Sequence, residues 1–182
     1  VTDTVTLRRR AERDSLTGLL NRAALADQLA SVLADGDRSA VVLFIDMDGF
    51  KLVNDVHGHA VGDLVLVETA RRLERAVRPA DVVVRFGGDE FVVVCRSVDD
   101  AGQAALVGRI EELLRAPVDL PEGSWIPDAS IGVARPEPDD DADALLHRAD
   151  VAMFEAKRSR LRRGGDQSPA AASRAGRTHS SE

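Results

Sequence analysis

Apolar residues recur at helical spacing over residues 22–33, with Leu25, Leu29 and Val32 on one face, and the pattern stops at the turn cluster Asp35-Gly36-Asp37. Residues 39–45 form a continuous apolar run, too short for a helix, which predicts a strand buried on both faces and ending on Asp46 and Asp48. Helical spacing returns over residues 62–77 through Leu66, Ala70, Leu73 and Val77, and Pro79 closes it. Two strand-like runs follow, 82–86 and 91–95, separated by Gly87-Gly88-Asp89-Glu90, a strong hairpin signal. A helix is predicted over 100–115, strands over 117–121 and 129–134, and a last amphipathic helix over 142–160 with Leu145, Ala149, Met153 and Ala156 inward.

Strands with helices between them and a central hairpin predict an α+β fold: a mixed, largely antiparallel sheet flanked by helices, in the ferredoxin-like style. The 182 residues suffice for one domain with its own core. Residues 1–13 are charged at their end and helix-permissive, and read as a linker helix from an upstream domain; 14–161 is the folded unit. Residues 162–182, rich in Gly, Ser, Ala and Arg without periodicity, read as a disordered tail. A formal net charge of -7 argues against a nucleic-acid-binding surface, which would need clustered Lys and Arg. The single cysteine, Cys95, lies in an apolar run, which fits a buried thiol and a reducing, cytoplasmic setting. No apolar stretch approaches the roughly 18 residues that span a bilayer, and the opening residues lack a signal-peptide core, so no membrane contact is expected of this domain. The chain starts on Val1, which suggests a piece of a longer protein whose sensor or membrane segments lie elsewhere.

The candidate chemistry is acidic. Asp46 ends the first predicted strand, and Asp89 and Glu90 sit in the hairpin turn; if these strands are neighbours, the carboxylates converge and need a cation or raised pKa values. Few carboxylates with room for water and phosphate suit Mg²⁺. Taken singly, each acid reads as a solvated turn residue. Gly87 and Gly88 can supply positive φ for a tight turn, and they also let a ligand approach the backbone. Met47-Asp48-Gly49-Phe50-Lys51 reads as a strand-to-helix turn whose amides could cradle an anion, with Lys51 adding charge. Metal, phosphate cradle and lysine belong together in phosphoryl chemistry.

The run RFGGDEF at residues 85–91 resembles the signature of the GGDEF family of diguanylate cyclases. DSLTGLLNR at 14–22, FIDMDGFKLVNDVHGHAVGD at 44–63 and ASIGVA at 129–134 resemble the family's other motifs, in the same order. The resemblance extends over about residues 14–157. It implies a palm-type fold similar to adenylyl cyclase catalytic domains. It also implies an enzyme that joins two GTP molecules into cyclic di-GMP and two pyrophosphates, with Mg²⁺ (or Mn²⁺) as cofactor. The site would lie between the halves of an antiparallel homodimer controlled by an upstream sensor domain.

Residue by residue, the resemblance makes Asp46, Asp89 and the Met47 carbonyl metal ligands, and Glu90 a further ligand or the acceptor of the 3′-hydroxyl proton. Asn54 and Asp63 would read guanine, for which an amide and a carboxylate are suited; outside the family context they read as a helix-end cap and an N-cap. Lys51, the amides of Gly49 and Phe50, the bare Gly87-Gly88 backbone and Lys157 would face the substrate. Arg78-Pro79-Ala80-Asp81 matches the RxxD of the family's inhibitory product site, with Arg109 a secondary contact. His57 and His59 read as structural rather than as a zinc pair. The chain departs from the family where an arginine is usual four residues after Lys157: Leu161 stands there, with Arg160 and Arg162 beside it as candidate substitutes. The rival reading is a catalytically retired domain that senses GTP or cyclic di-GMP; intact Asp46, Asp89 and Glu90 favour the enzyme.

Overall fold

A computed structural model describes residues 11–120 and 123–164, and the remainder of the expected linker helix and tail lies outside them. The central sheet has five strands: β1 (Leu20–Asn21), β2 (Val41–Asp48), β3 (Val82–Gly87), β4 (Glu90–Cys95) and β7 (Asp128–Ala134), in the order β1-β3-β4-β2-β7. Only the two-residue β1 pairs in parallel, with β3; every other pairing is antiparallel. The helices are α1 (Arg22–Ala34), α2 (Phe50–His57), α3 (His59–Ala76), α4 (Asp100–Leu114) and α5 (Ala142–Gly164). The predicted mixed α+β fold is therefore the one observed.

Both faces of the sheet are covered, and for that reason β2 and β4 read as unbroken apolar runs. Leu43, Ile45, Phe91 and Val93 enter the core on the side of α2, α3 and α4. Val42, Phe44, Val92 and Val94 enter a second core with α1 and α5. Helix starts follow local chemistry: the Asn21 side chain accepts from the Ala23 and Ala24 amides to open α1, and Asp99 accepts from Gly102 to open α4.

Several boundaries differ from the sequence expectation. The helix expected from residue 62 starts at His59, and a separate helix α2 precedes it, the two joined at Gly58 with φ 82°. The strand expected at 117–121 is β5 (Val118–Leu120), which leaves the main sheet and pairs with β6 (Gly123–Trp125). The buried Arg72 guanidinium takes the carbonyls of Leu114, Ala116 and Pro117 and holds the residues just ahead of β5 against α3. Finally, α5 continues to Gly164, past the expected start of the tail at 162, and Arg13, assigned to the linker, bridges Leu20 within the fold.

One close approach fixes α5. A Cβ on Gly132 of β7 would meet the Met153 nitrogen at 2.0 Å and the Ala149 carbonyl oxygen at 2.2 Å, so the helix backbone lies directly on the strand. That contact sets where Lys157, one turn beyond Met153, reaches the sheet.

Candidate active site

The sheet brings the predicted acids together. In the antiparallel pairing of β2 with β4, Asp46 stands opposite Glu90, and the Met47 amide donates to the Asp89 carbonyl at 3.2 Å. The hairpin is tighter than its four-residue motif suggests: Gly87 still pairs with Glu90, so the turn is Gly88-Asp89, with Gly88 at φ 52°. Phe86 bulges out of the ladder against the Phe44 ring. Gly87 and Gly88 are exposed, which leaves their backbone open to a ligand.

The local electrostatics follow from this crowding. Burial pushes the Asp89 carboxyl above its ordinary range, and the neighbouring charge of Asp46 adds to the shift. Burial likewise raises Glu90, reinforced by Asp46, Asp89 and Asp150. The counter-charge is Lys157, whose Nζ is 2.5 Å from Asp46 Oδ1 and 3.6 Å from Asp48 Oδ1. Burial disfavours its charge, but Asp46, Asp48 and Asp89 outweigh burial and hold the ammonium above its ordinary value. Lys157 thus lies on the acids in this structure.

Among the described residues no group of three or more His, Cys, Asp or Glu forms a ready metal cage. The donors at this end are nevertheless hard oxygens, crowded enough to raise two of their own pKa values, which fits a divalent ion that keeps water or phosphate oxygens in its shell.

The phosphate-cradle segment is also formed. Gly49 takes φ 76° at the start of α2, Phe50 is buried as its anchor, and Lys51 is exposed on the first turn. Asn54 is half-buried on α2 and abuts Gly62 of α3, next to the exposed Asp63. Neither residue has the capping role that isolated sequence reading assigns: the Asn54 backbone carbonyl, not its side chain, accepts from Gly58, and Asp63 lies inside α3.

The Arg78 and Asp81 pair stands at the opposite end of β3. The Asp81 carboxylate accepts from the Arg78 amide at 2.9 Å, and both residues line a cleft of about 320 Å³ with Arg13, Glu74 and Val83. Arg109 reaches the same turn from α4, its Nε donating to the Ala76 carbonyl at 2.6 Å. At the end of α5, Leu161 is 70% exposed, whereas Arg160 bonds Asp128 and lies 3.1 Å from Glu111 and 3.8 Å from Asp48. Arg162 is exposed.

Sequence reasoning passed over two partners. Asp48 accepts from the Ser130 hydroxyl at 2.8 Å, tying β7 to the acids. Arg85 holds both Asp14 carboxylate oxygens and the Gly88 carbonyl, so it links the opening motif to the hairpin turn. The signal for the second was present in two charged residues flanking separate motifs.

The fold and site define a palm-type α+β domain with a carboxylate cluster between a strand end and a glycine hairpin. Residues 11–163 match the family described as Diguanylate cyclase, GGDEF domain, and the chain belongs to it. Diguanylate cyclase TpbB of Pseudomonas aeruginosa is 41% identical over 162 residues, which cover 86% of this chain and 37% of that protein. A solved sensory box/GGDEF family protein from Caulobacter crescentus CB15 matches with a TM-score of 0.74 at 47% identity, covering 81% of this chain and 99% of that one. The coiled coil and GGDEF domain of DgcB from Caulobacter crescentus, solved in complex with c-di-GMP, matches with a TM-score of 0.80 at 27% identity, covering 87% and 86% of the two chains. The chain spans less than half the length of the curated relatives it matches. No helix among the described residues is long and apolar enough to cross a membrane.

Proposed function

We propose that this domain condenses two GTP molecules into cyclic di-GMP, with one GTP held per domain and the reacting pair meeting across a two-fold homodimer. In each half-reaction the 3′-oxygen of one GTP bonds to the α-phosphorus of the other, the bond to the bridging oxygen of the β-phosphate breaks, and pyrophosphate leaves with the electron pair. The 3′-hydroxyl proton goes to a carboxylate. Glu90 is suited to accept it, because burial and three neighbouring acids raise its basicity. The observation that carries the reading is the pairing of Asp46 with Glu90 beside the Asp89 turn, since such a concentration of negative charge serves little purpose without a cation and a phosphate.

Asp46, Asp89 and the Met47 carbonyl would hold Mg²⁺, or Mn²⁺ in its place, with Glu90 adjoining; when bound, the ion neutralises charge on the phosphate oxygens. Lys157, now paired with Asp46 and Asp48, would exchange those partners for a phosphate. Lys51 and the amides at Gly49 and Phe50 would take the remaining phosphates, with the open Gly87-Gly88 backbone beside them. Asn54 and Asp63, close together across α2 and α3, would select guanine over adenine, an amide and a carboxylate being complementary to its O6, N1 and N2 groups. Arg160 is engaged by carboxylates, so the exposed Arg162 is the freer candidate for the cation that the family carries at the position of Leu161.

The test is turnover. Protein with a dimerising helix fused ahead of Val5, given GTP and Mg²⁺, should yield cyclic di-GMP by mass spectrometry, and Asp89→Ala should reduce the rate at least about a hundredfold. GTP binding without any product from the fused dimer would replace the enzyme by a nucleotide-sensing module, set in a longer protein with a sensor domain.

Product feedback belongs to the same proposal. The Arg78 side chain is exposed at the mouth of the cleft that Asp81 lines, and a guanidinium fork suits a guanine edge or phosphate. The DgcB complex with c-di-GMP shows that a relative takes that ligand. Arg78→Ala should abolish inhibition by added cyclic di-GMP and leave the initial rate alone. Unchanged inhibition would remove Arg78, and with it Asp81 and Arg109, from the product site.

A further inference from the structure

Gly62 is the fourth residue of the 18-residue helix α3, its amide already bonded to the Gly58 carbonyl, where glycine is a poorer helix former than alanine. Its backbone does not need glycine, since Gly62 is not among the residues with positive φ. What glycine supplies is space. A Cβ at this position would stand 1.9 Å from Asn54 Oδ1, 3.0 Å from Asn54 Cγ and 3.2 Å from Phe50 Cζ. The first distance lies below any real contact and the other two are tight, so an alanine here must displace the Asn54 carboxamide. Phe50 is buried and anchors the start of α2, so the helix cannot simply move away to make room.

We infer that Gly62 is a specificity-determining residue: its missing side chain forms the seat that holds the Asn54 amide flat against α3, beside Asp63, in the orientation that reads a guanine base. The inference rests on the guanine-reading role proposed for Asn54 and Asp63. It explains why a buried helical position keeps a residue that weakens the helix. Gly62 acts through Asn54 and touches no reacting atom, so it is a positioning residue rather than a catalytic one.

The experiment is a double-mutant cycle read by calorimetric titration with guanosine 5′-(α,β-methylene)triphosphate and its adenosine counterpart, together with thermal unfolding of each variant. In the parent background Gly62→Ala should weaken the guanosine analogue about tenfold, the worth of one lost hydrogen bond, and leave the weak adenosine binding unchanged. In an Asn54→Ala background the same change should cost no further affinity. Thermal stability should follow the same pattern: Gly62→Ala lowers the melting temperature beside Asn54, and most of that loss should disappear once Asn54 is alanine, because only the 3.2 Å approach to Phe50 Cζ then opposes the better helix propensity. Equal weakening in both backgrounds, or none in the parent, overturns the inference. If the parent protein binds neither analogue, the guanine reading itself fails, and this inference with it. A partly unfolded Gly62→Ala variant is still decided by the cycle, since the double variant should recover the fold.

Discussion

The Arg85 guanidinium lies 3.1 and 3.2 Å from the two Asp14 oxygens, while its Nε and Nη2 donate to the Gly88 carbonyl at 3.1 and 2.9 Å. Asp14 also accepts from the Thr17 amide and hydroxyl at 2.8 and 2.7 Å. Burial alone would raise its pKa, but the Thr17 bonds and the Arg85 charge outweigh burial and hold the carboxyl below its ordinary value of 3.8. A carboxyl depressed on folding stabilises the native state above its unfolded pKa, and that contribution disappears as pH falls through the folded value. Asp14→Asn should therefore cost about 2 kcal/mol at pH 7 by urea denaturation, the scale of hydrogen bonds to a charged group. The gap from the parent should narrow below about pH 4. A gap that stays constant with pH would mean that the asparagine harms packing rather than removing an ion pair. Arg85→Gln should show the same loss, and it should also slow turnover because the Gly88 carbonyl loses its anchor.

Elements were legible wherever one physical signal dominated. The strands expected at 39–45 and 91–95 follow from apolar runs and are observed at 41–48 and 90–95, and the pairing of β3 with β4 follows from the glycine hairpin between them. What the sequence hides is anything set by a contact between elements. The anchoring of residues 114–117, just ahead of β5, comes from Arg72, more than 40 positions away, and no local pattern announces it. The seating of Lys157 on Asp46 likewise depends on the packing of α5 on β7, which only Gly132 permits. The carboxylate cluster was legible as a convergence conditional on strand pairing, whereas the nearness of Asn54 to Gly62 required the tertiary structure. Gly132→Ala puts a methyl group against helix backbone that cannot rotate away, unlike a side chain. It should destabilise by about 3 kcal/mol, at the high end for overpacking, and draw Lys157 off the acids. Urea denaturation gives the first effect, and a rise in the KM for GTP, measured on folded protein, gives the second. Stability within about 0.5 kcal/mol of the parent would show that α5 slides freely on the sheet.

The largest scale is the one a single chain leaves open: among the described residues stand one glycine hairpin with its acidic cluster and one pair, Asn54 and Asp63, proposed to read guanine, while the proposed product contains two guanosines joined by two identical phosphodiester bonds. On the proposed reading, one domain orients the α-phosphorus of its own GTP, and its described residues offer no second such pair to hold the attacking 3′-hydroxyl. Two domains related by a two-fold axis solve both halves at once, because each nucleotide is nucleophile for its neighbour and electrophile toward it, and an isologous arrangement makes the two attacks equivalent. Bringing the reactants together in this way can supply much of the rate, on the order of 7–11 kcal/mol of barrier for well-oriented pairs, and a lone domain forgoes nearly all of it. Specific activity should therefore rise in proportion to protein concentration while monomer dominates, and level off once dimer does. Fusion to a dimerising helix should abolish the concentration dependence without changing the plateau more than a few-fold. The measurement is cyclic di-GMP formed per molecule of enzyme over a hundredfold dilution series, with the mass distribution determined at each concentration. A specific activity that stays flat while the mass falls to that of the monomer would mean that both GTP molecules are held within one domain, and the two-fold arrangement would have to be abandoned.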